Sequence, residues 1–428
     1  MRKWSDGTSV AGQDYSFAFD DIGNRKTATL NSNVSEYAAN LLNQYTQRTV
    51  PGLVDIIGAA ASNATVTVNG ATAGRRGEYF RHELALANTN AAAYSPVSIL
   101  ASMTYNGTNV VVTNTGSAFL PRTPEIFNHN SDGSLTNDGR WAYTWDGENR
   151  LIGMETLPNL PTNVPVQKLV FQYDAQSRRI SKVVSNYAGS VWSEVSNLRF
   201  VYDGWNLLAE IDKTNAVVRS YVWGLDLSGT EQGAGGIGGL LWANLPQASN
   251  TQARGSHFVA FDGNGNVAAL LNAQTAQVSA EYEYGPFGET IRATGPAAAE
   301  NVFRFSAKYT EAESGLLYYG FRYRNLVFWL SRDPMGLRGS LGLYVVVLNR
   351  PVDNVDPVGL CDLSNNPAFG EGLDPAGNCL TYAANKQYSL PWVHGMIPWL
   401  PFPEGKGNFS RNGSAGYFCR RALACRRR

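Results

Sequence analysis

Charge is scarce in this chain: only 16% of its 428 residues are charged, and 35 Lys+Arg balance 35 Asp+Glu to a formal net charge of zero. Nucleic-acid and anionic-membrane binding need clustered excess Lys/Arg, so neither is expected of the main body. A disordered solvating chain would need more charge and less than the 43% apolar content found here, so the chain is expected to fold. No apolar run approaches the ~20 residues that cross a bilayer, and the best candidate, 341–348, has the length of a strand. The start, Met1-Arg-Lys-Trp-Ser-Asp-Gly7, has no apolar signal segment. Secretion or surface display is therefore expected to depend on a missing upstream region or a dedicated exporter. Cysteine is absent before Cys361, and Cys361, Cys379, Cys419 and Cys425 form no C-x-x-C knuckle. A zinc ribbon is not expected, whereas one or two disulfides would fit an oxidising compartment.

Glycine and aromatics are plentiful, with 43 Gly, 21 Tyr, 18 Phe and 10 Trp. Turn glycines and strand aromatics together point to β structure. The length fits two or three domains, or one body built by repetition. Repetition is visible: an aromatic followed by Asp recurs at Asp20, Asp146, Asp174, Asp203 and Asp262, each opening a cluster of Gly, Asn, Gln or Ser. Alternating residues precede the aromatic and a second apolar run follows the cluster, as in Asn197-Leu-Arg-Phe-Val-Tyr202 and then Leu207-Leu-Ala-Glu-Ile211. This describes tandem β-hairpins with the Asp residues as structural turn residues. Between residues 31 and 124 the period weakens; a short helix is expected around Ala38–Leu42 and strands over 64–116, as a divergent, strand-rich insertion.

Other motifs carry less. Gly233-Ala-Gly235-Gly-Ile-Gly238 fits G-x-G-x-x-G, but its flanks are strands on both sides, so a flexible hairpin loop is expected rather than a phosphate site. His82-Glu83 lacks the second histidine of a zincin, since Leu86 stands there, and His129, His257 and His394 are scattered. No metal and no cofactor are expected.

From Phe303 the texture changes, running through Arg322, Leu330-Ser-Arg-Asp333-Pro-Met-Gly336 and Asn354-Val-Asp356-Pro-Val-Gly-Leu360. These motifs, with Tyr284-Gly-Pro-Phe-Gly-Glu289 before them, resemble the core domain of the rearrangement hot spot (RHS) family, also called YD-repeat proteins. The resemblance covers roughly residues 15–360. It implies a spiralling, curled β-sheet forming at least a partial shell over 1–300, a core domain over 301–360 that plugs one end, and a variable tail over 361–428. It further implies a cut between Leu360 and Cys361, after which the tail is held as enclosed cargo, often a toxin. Asp333 and Asp356 would form the aspartyl-protease-like pair, with Arg322 as cationic helper. Here Arg322 stands two residues closer to Asp333 than the family pattern has it, a shortening that keeps the facing parity of a hairpin. Cys361 offers a second route, thiol attack on the Leu360 carbonyl.

A composition break coincides with that junction. Residues 361–428 hold eight basic and four acidic residues, a net of +4, which leaves −4 for 1–360. An acidic container would attract a basic cargo. The tail itself, with Pro391–Pro403 and the basic cluster Cys419–Arg428, carries no Ser/His/Asp, H-N-H or paired-histidine pattern, so a degenerate or truncated remnant is expected over a small effector touching nucleic acid or membrane. The function expected is polymorphic-toxin-like delivery or contact-dependent competition, with at most one self-cleavage event per molecule. The alternative is a non-cleaving extracellular scaffold binding carbohydrate or protein through exposed Tyr and Trp. Candidate partners are the tail, a secretion apparatus and cell-surface carbohydrate or protein.

Overall fold

The computed structural model describes residues 2–336 and 342–360. Among these residues structure is almost wholly β, in antiparallel hairpins. A fourteen-stranded sheet runs in strict sequence order from the strand Asn128–His129 to the strand Thr290–Thr294, each strand pairing with the next. Strict neighbour pairing is what tandem hairpins with short turns produce. The sheets curl without closing into a barrel.

Each repeat turn is built by one side chain. The Asp174 carboxylate accepts the backbone N–H groups of Gln176 and Arg178, both at 2.9 Å. Asp20, Asp146 and Asp262 accept the N–H groups two and four residues on in the same way. The third residue after each Asp is left-handed: Gly23, Asn149, Ser177 and Gly265 have φ between 57° and 90°. Gly, Asn and Ser tolerate that region better than β-branched residues, so the turn cluster is dictated by backbone sterics. Asp203 sits in a tighter turn, paired with Asn206 across Gly204-Trp205. An Asp174→Ala chain should lose about 1 kcal/mol of stability, whereas the exposed Asp203→Ala should change it by under about 0.5 kcal/mol; urea midpoints of the two variants check this.

The aromatic preceding the turn has its own task. Where it is Tyr or Trp rather than Phe, it reaches back to the neighbouring hairpin: Tyr173 Oη donates to Leu151 O at 2.7 Å, Tyr202 Oη to Arg179 O at 3.0 Å, and Tyr284 Oη to Val267 O at 2.9 Å. Trp145 and Trp223 do the same through Nε1 to Leu135 O and Leu207 O. A large ring buries area while its polar tip satisfies a carbonyl, so one residue cross-links successive repeats.

Two expectations need correction. Residues 38–42 are not helical: the strands Asn33–Ala39 and Tyr45–Arg48 form a hairpin. Asn40 occupies the Asp position, accepting N–H groups from Leu42 and Gln44, with Asn43 left-handed. That hairpin continues the first sheet, and separate three- and four-stranded sheets begin only at Leu53. The glycine-rich loop is not loose either. Ala234 and Ile237 are buried, and Asp226 Oδ2 accepts the N–H groups of Ala234 (2.7 Å) and Gly236 (3.1 Å). The protein's own carboxylate takes the backbone donors that would otherwise face an anion.

Alternation puts Leu169, Phe171, Leu198, Phe200, Leu240 and Leu270 on one face of the large sheet. This face packs against residues 301–360, whose Tyr309, Tyr318, Tyr323, Phe328 and Leu330 belong to the same buried cluster. Among the described residues of 301–360 there is little regular structure beyond a three-stranded sheet of two-residue strands and the short 3-10 turns Phe305–Ala307 and Val347–Asn349. The large sheet supplies the mould that fixes them.

Candidate functional site

The packed segment positions three charged side chains in one place. Arg322 precedes the strand Tyr323–Arg324 and is 2% exposed. The following turn is tight because Asn325 Oδ1 accepts the N–H groups of Val327 and Phe328, at 2.8 and 2.9 Å. This brings Trp329 under the Arg322 guanidinium, 4.1 Å from the ring centre, where a cation gains from the ring face. Trp329 is itself fixed by donating from Nε1 to Val345 O at 3.1 Å.

Arg322 Nη2 lies 2.9 Å from Asp333 Oδ2 and 3.4 Å from Asp356 Oδ2. One guanidinium nitrogen thus bridges both carboxylates, which sit side by side in the interior. The two-residue shortening before Asp333 leaves Arg322 aimed inward and in reach of both. Arg322 Nε donates in addition to the carbonyl of Gly359. The cation therefore holds both acids and the chain segment leading to Leu360.

Asp356 is the centre of a strap over residues 356–360. Its Oδ1 accepts the N–H groups of Val358 (3.3 Å), Gly359 (2.7 Å) and Leu360 (3.2 Å). The strap's carbonyls are held from other elements. Phe321 N–H donates to Val358 O at 3.0 Å, Arg322 to Gly359 O, and Lys308 Nζ to Pro357 O at 2.6 Å. Leu360 is 5% exposed. Side chains and backbone groups of distant segments thus pin the chain up to Leu360.

The two acids differ in their surroundings. Burial pushes the Asp333 carboxyl up, against the opposing pull of the Arg322 guanidinium and the Met335 N–H. Asp333 also lines a cavity of about 380 Å³, together with Asp132, Glu148, Arg150 and Arg332. Asp356 is 1% exposed, behind the strap. Asp333 thus borders a cavity whose lining does not include Asp356.

Sequence reasoning missed two contributors. Lys308 and Phe321 touch the strap from 49 and 37 residues upstream, and no local motif marks them. Of the remaining candidates, His82 lies in the strand Tyr79–Ala85, and buried His257 meets Ser279 Oγ and Ala253 O at 2.8 and 2.9 Å. Among the described residues there is no group of three metal-ligating side chains, and no helix long and apolar enough to cross a membrane. Cys361 and the other cysteines, His394 and the basic end lie outside the described residues.

Comparison with known proteins adds three similarities. The chain is 29% identical over 244 residues to the tRNA3(Ser)-specific nuclease WapA of Bacillus spizizenii, a match covering 55% of this chain and 9% of that protein. It is 28% identical over 247 residues to the double-stranded DNA deaminase toxin A of Burkholderia cenocepacia, covering 55% and 17%. A crystal structure of TcdB2-TccC3-TEV aligns with 84% of this chain and 17% of its own, at 17% identity and a TM-score of 0.42. No protein-family model matches the chain.

Proposed function

We propose that this chain belongs to a self-cleaving RHS/YD-repeat toxin, in which residues 1–300 form the repeat sheet, 301–360 the core that cuts the chain after Leu360, and 361–428 the released cargo. The observation that carries the reading is the shared guanidinium: Arg322 bridges Asp333 and Asp356 while binding the carbonyl next to the proposed cut. The similarities support it from another side. The relatives are named for unlike chemistries, cleavage of a tRNA and deamination of DNA. Similarity to two proteins named for unlike chemistries fits a part of the chain that serves delivery and not either chemistry. This chain spans about 9% and 17% of the two, so the warhead, the exporter and the surface it meets are parts of this proposal and not of the match.

The chemistry is peptide hydrolysis. Asp333, open to the cavity, takes a proton from water as its oxygen adds to the Leu360 carbonyl carbon. The second carboxyl gives a proton to the departing amide nitrogen, and the C–N bond to Cys361 breaks. The products are a carboxyl at Leu360 and an amine at Cys361. Because Asp356, Arg322, Lys308 and the Phe321 N–H keep the strap bound, the cleaved end keeps the site filled, and each molecule cuts once.

The test is an intact mass of the purified full chain. A piece of 68 residues, Cys361 to Arg428, is the expected result. A chain that remains at 428 residues sinks the reading.

A further inference from the structure

We propose that Lys308 is a positioning residue for the cut, a buried cation that clamps the strap against the glycine-rich loop. This rests on the self-cleavage reading above and assigns a role inside it. Lys308 Nζ donates to two carbonyls that face each other, Gly235 O and Pro357 O, each at 2.6 Å. The contact between the two segments is close: a Cβ on Gly235, which has φ +61°, would lie 1.9 Å from Pro357 O. Two buried carbonyl oxygens aimed at one point repel, and each needs a donor. A cation between them converts the repulsion into two charge-assisted hydrogen bonds.

What the clamp fixes is the chemistry's frame. Pro357 adjoins Asp356, and its carbonyl is the first of three consecutive strap carbonyls; Lys308 alone holds this one, while the neighbours Phe321 and Arg322 hold the next two. Release of the first lets Asp356 and the Leu360 carbonyl drift relative to Arg322 and Asp333. A displacement of about 1 Å at reacting groups costs on the order of a hundredfold in rate.

The ammonium is also poised to titrate. It is 6% exposed and has no carboxylate within salt-bridge distance among the described residues. The charged and ionisable groups around it are Asp226 of the glycine-rich loop, Asp356 of the strap with Arg322 beyond it, Tyr319 of the same segment at 5.4 Å, and, lining a small cavity with it, Tyr202 of the large sheet and Tyr309 and Tyr318 of its own segment. Burial outweighs the two aspartates and brings Lys308 down to about 8. A neutral amine keeps two N–H groups but loses the charge that strengthens them.

The experiment refolds the full chain by dilution from urea at a series of pH values between about 6 and 9 and follows the 68-residue piece by intact mass. The wild-type rate should fall on an alkaline limb near pH 8. Lys308→Met should cut at least about tenfold more slowly throughout. Lys308→Arg, charged at all these values, should restore much of the rate without the limb. A Lys308→Met chain cutting at the wild-type rate, or a Lys308→Arg chain keeping the limb, overturns the clamp. If Lys308→Met fails to fold, the wild-type limb and its loss in Lys308→Arg decide by themselves; a flat wild-type profile then overturns the clamp too. A wild-type chain that stays whole at every pH overturns the self-cleavage reading instead.

Discussion

If the proposed cut occurs, a chain carrying Asp356→Asn is expected to remain a single species of 428 residues, whereas the wild-type chain is expected to yield two pieces. Loss of one proton-transfer group is worth about 10²–10⁴ in rate. The substitution suits the purpose because it separates structure from chemistry. The Asn side-chain oxygen can accept the N–H groups of Val358, Gly359 and Leu360 as Asp356 Oδ1 does, so the strap keeps its shape. What it loses is a carboxyl that can hold and give a proton. Asp333→Asn should have the same effect, and Cys361→Ala should leave the cut intact. The reverse pattern, cleavage surviving Asp356→Asn and failing in Cys361→Ala, would move the mechanism to the thiol. The pH profile offers a second check. Asp333 acts as the base only when ionised, and burial raises its pKa. Its acid limb should therefore lie above the ordinary aspartate range, with cleavage falling as pH drops through it.

The repeat hairpins were legible because their signal is local. An Asp and a left-handed Gly, Asn or Ser three residues on are close in sequence, and backbone sterics leave few alternatives. The miss at Ala38–Leu42 shows the limit of that signal. Asn40 builds the same turn as Asp174, but matching on Asp alone passed over it, and the alanines beside it suggested a helix. Tertiary pairing with Tyr45–Arg48 overrode that propensity. The pair Asp333 and Asp356 was reached by resemblance, since each Asp-Pro motif alone reads as a turn. Nothing in the sequence announces that Lys308 meets Pro357 or that Asp226 occupies the glycine-rich loop. Such contacts depend on where the sheet places distant segments, and a single sequence carries no record of it.

The largest loss of stability is expected at Glu311, where residues 301–360 are joined to the large sheet. Glu311 is completely buried and receives Arg179 on one oxygen and Lys182, at 2.7 Å, on the other. Burial disfavours its charge, yet the two cations outweigh burial and hold its carboxyl below the usual glutamate range. Lys182 has a second partner in Glu313 at 2.7 Å. Arg179 has no other carboxylate among the described ion pairs and sits among aromatic rings, with Phe200, Tyr309 and Tyr318 each 4.7 Å away. Glu311→Ala therefore strands a buried guanidinium in an aromatic cage, where the Tyr323 hydroxyl at 3.1 Å is a neutral acceptor without the lost charge, at a cost of about 3–5 kcal/mol. Glu311→Gln keeps the shape but removes the charge, and should cost less than Glu311→Ala. Urea denaturation of both variants measures this. The sign of the pH dependence follows from the lowered pKa. Stability from this group is complete above the unfolded glutamate range and is lost as pH falls through the lower folded value, a loss that Glu311→Gln should lack. Tyr309, Tyr318 and Tyr323 ring the same network and lie in the segment that carries Lys308 and Arg322. Loosening Glu311 should then slow the cut as well as unfold the chain, while Asp356→Asn stops the cut and leaves the urea midpoint close to that of the wild type.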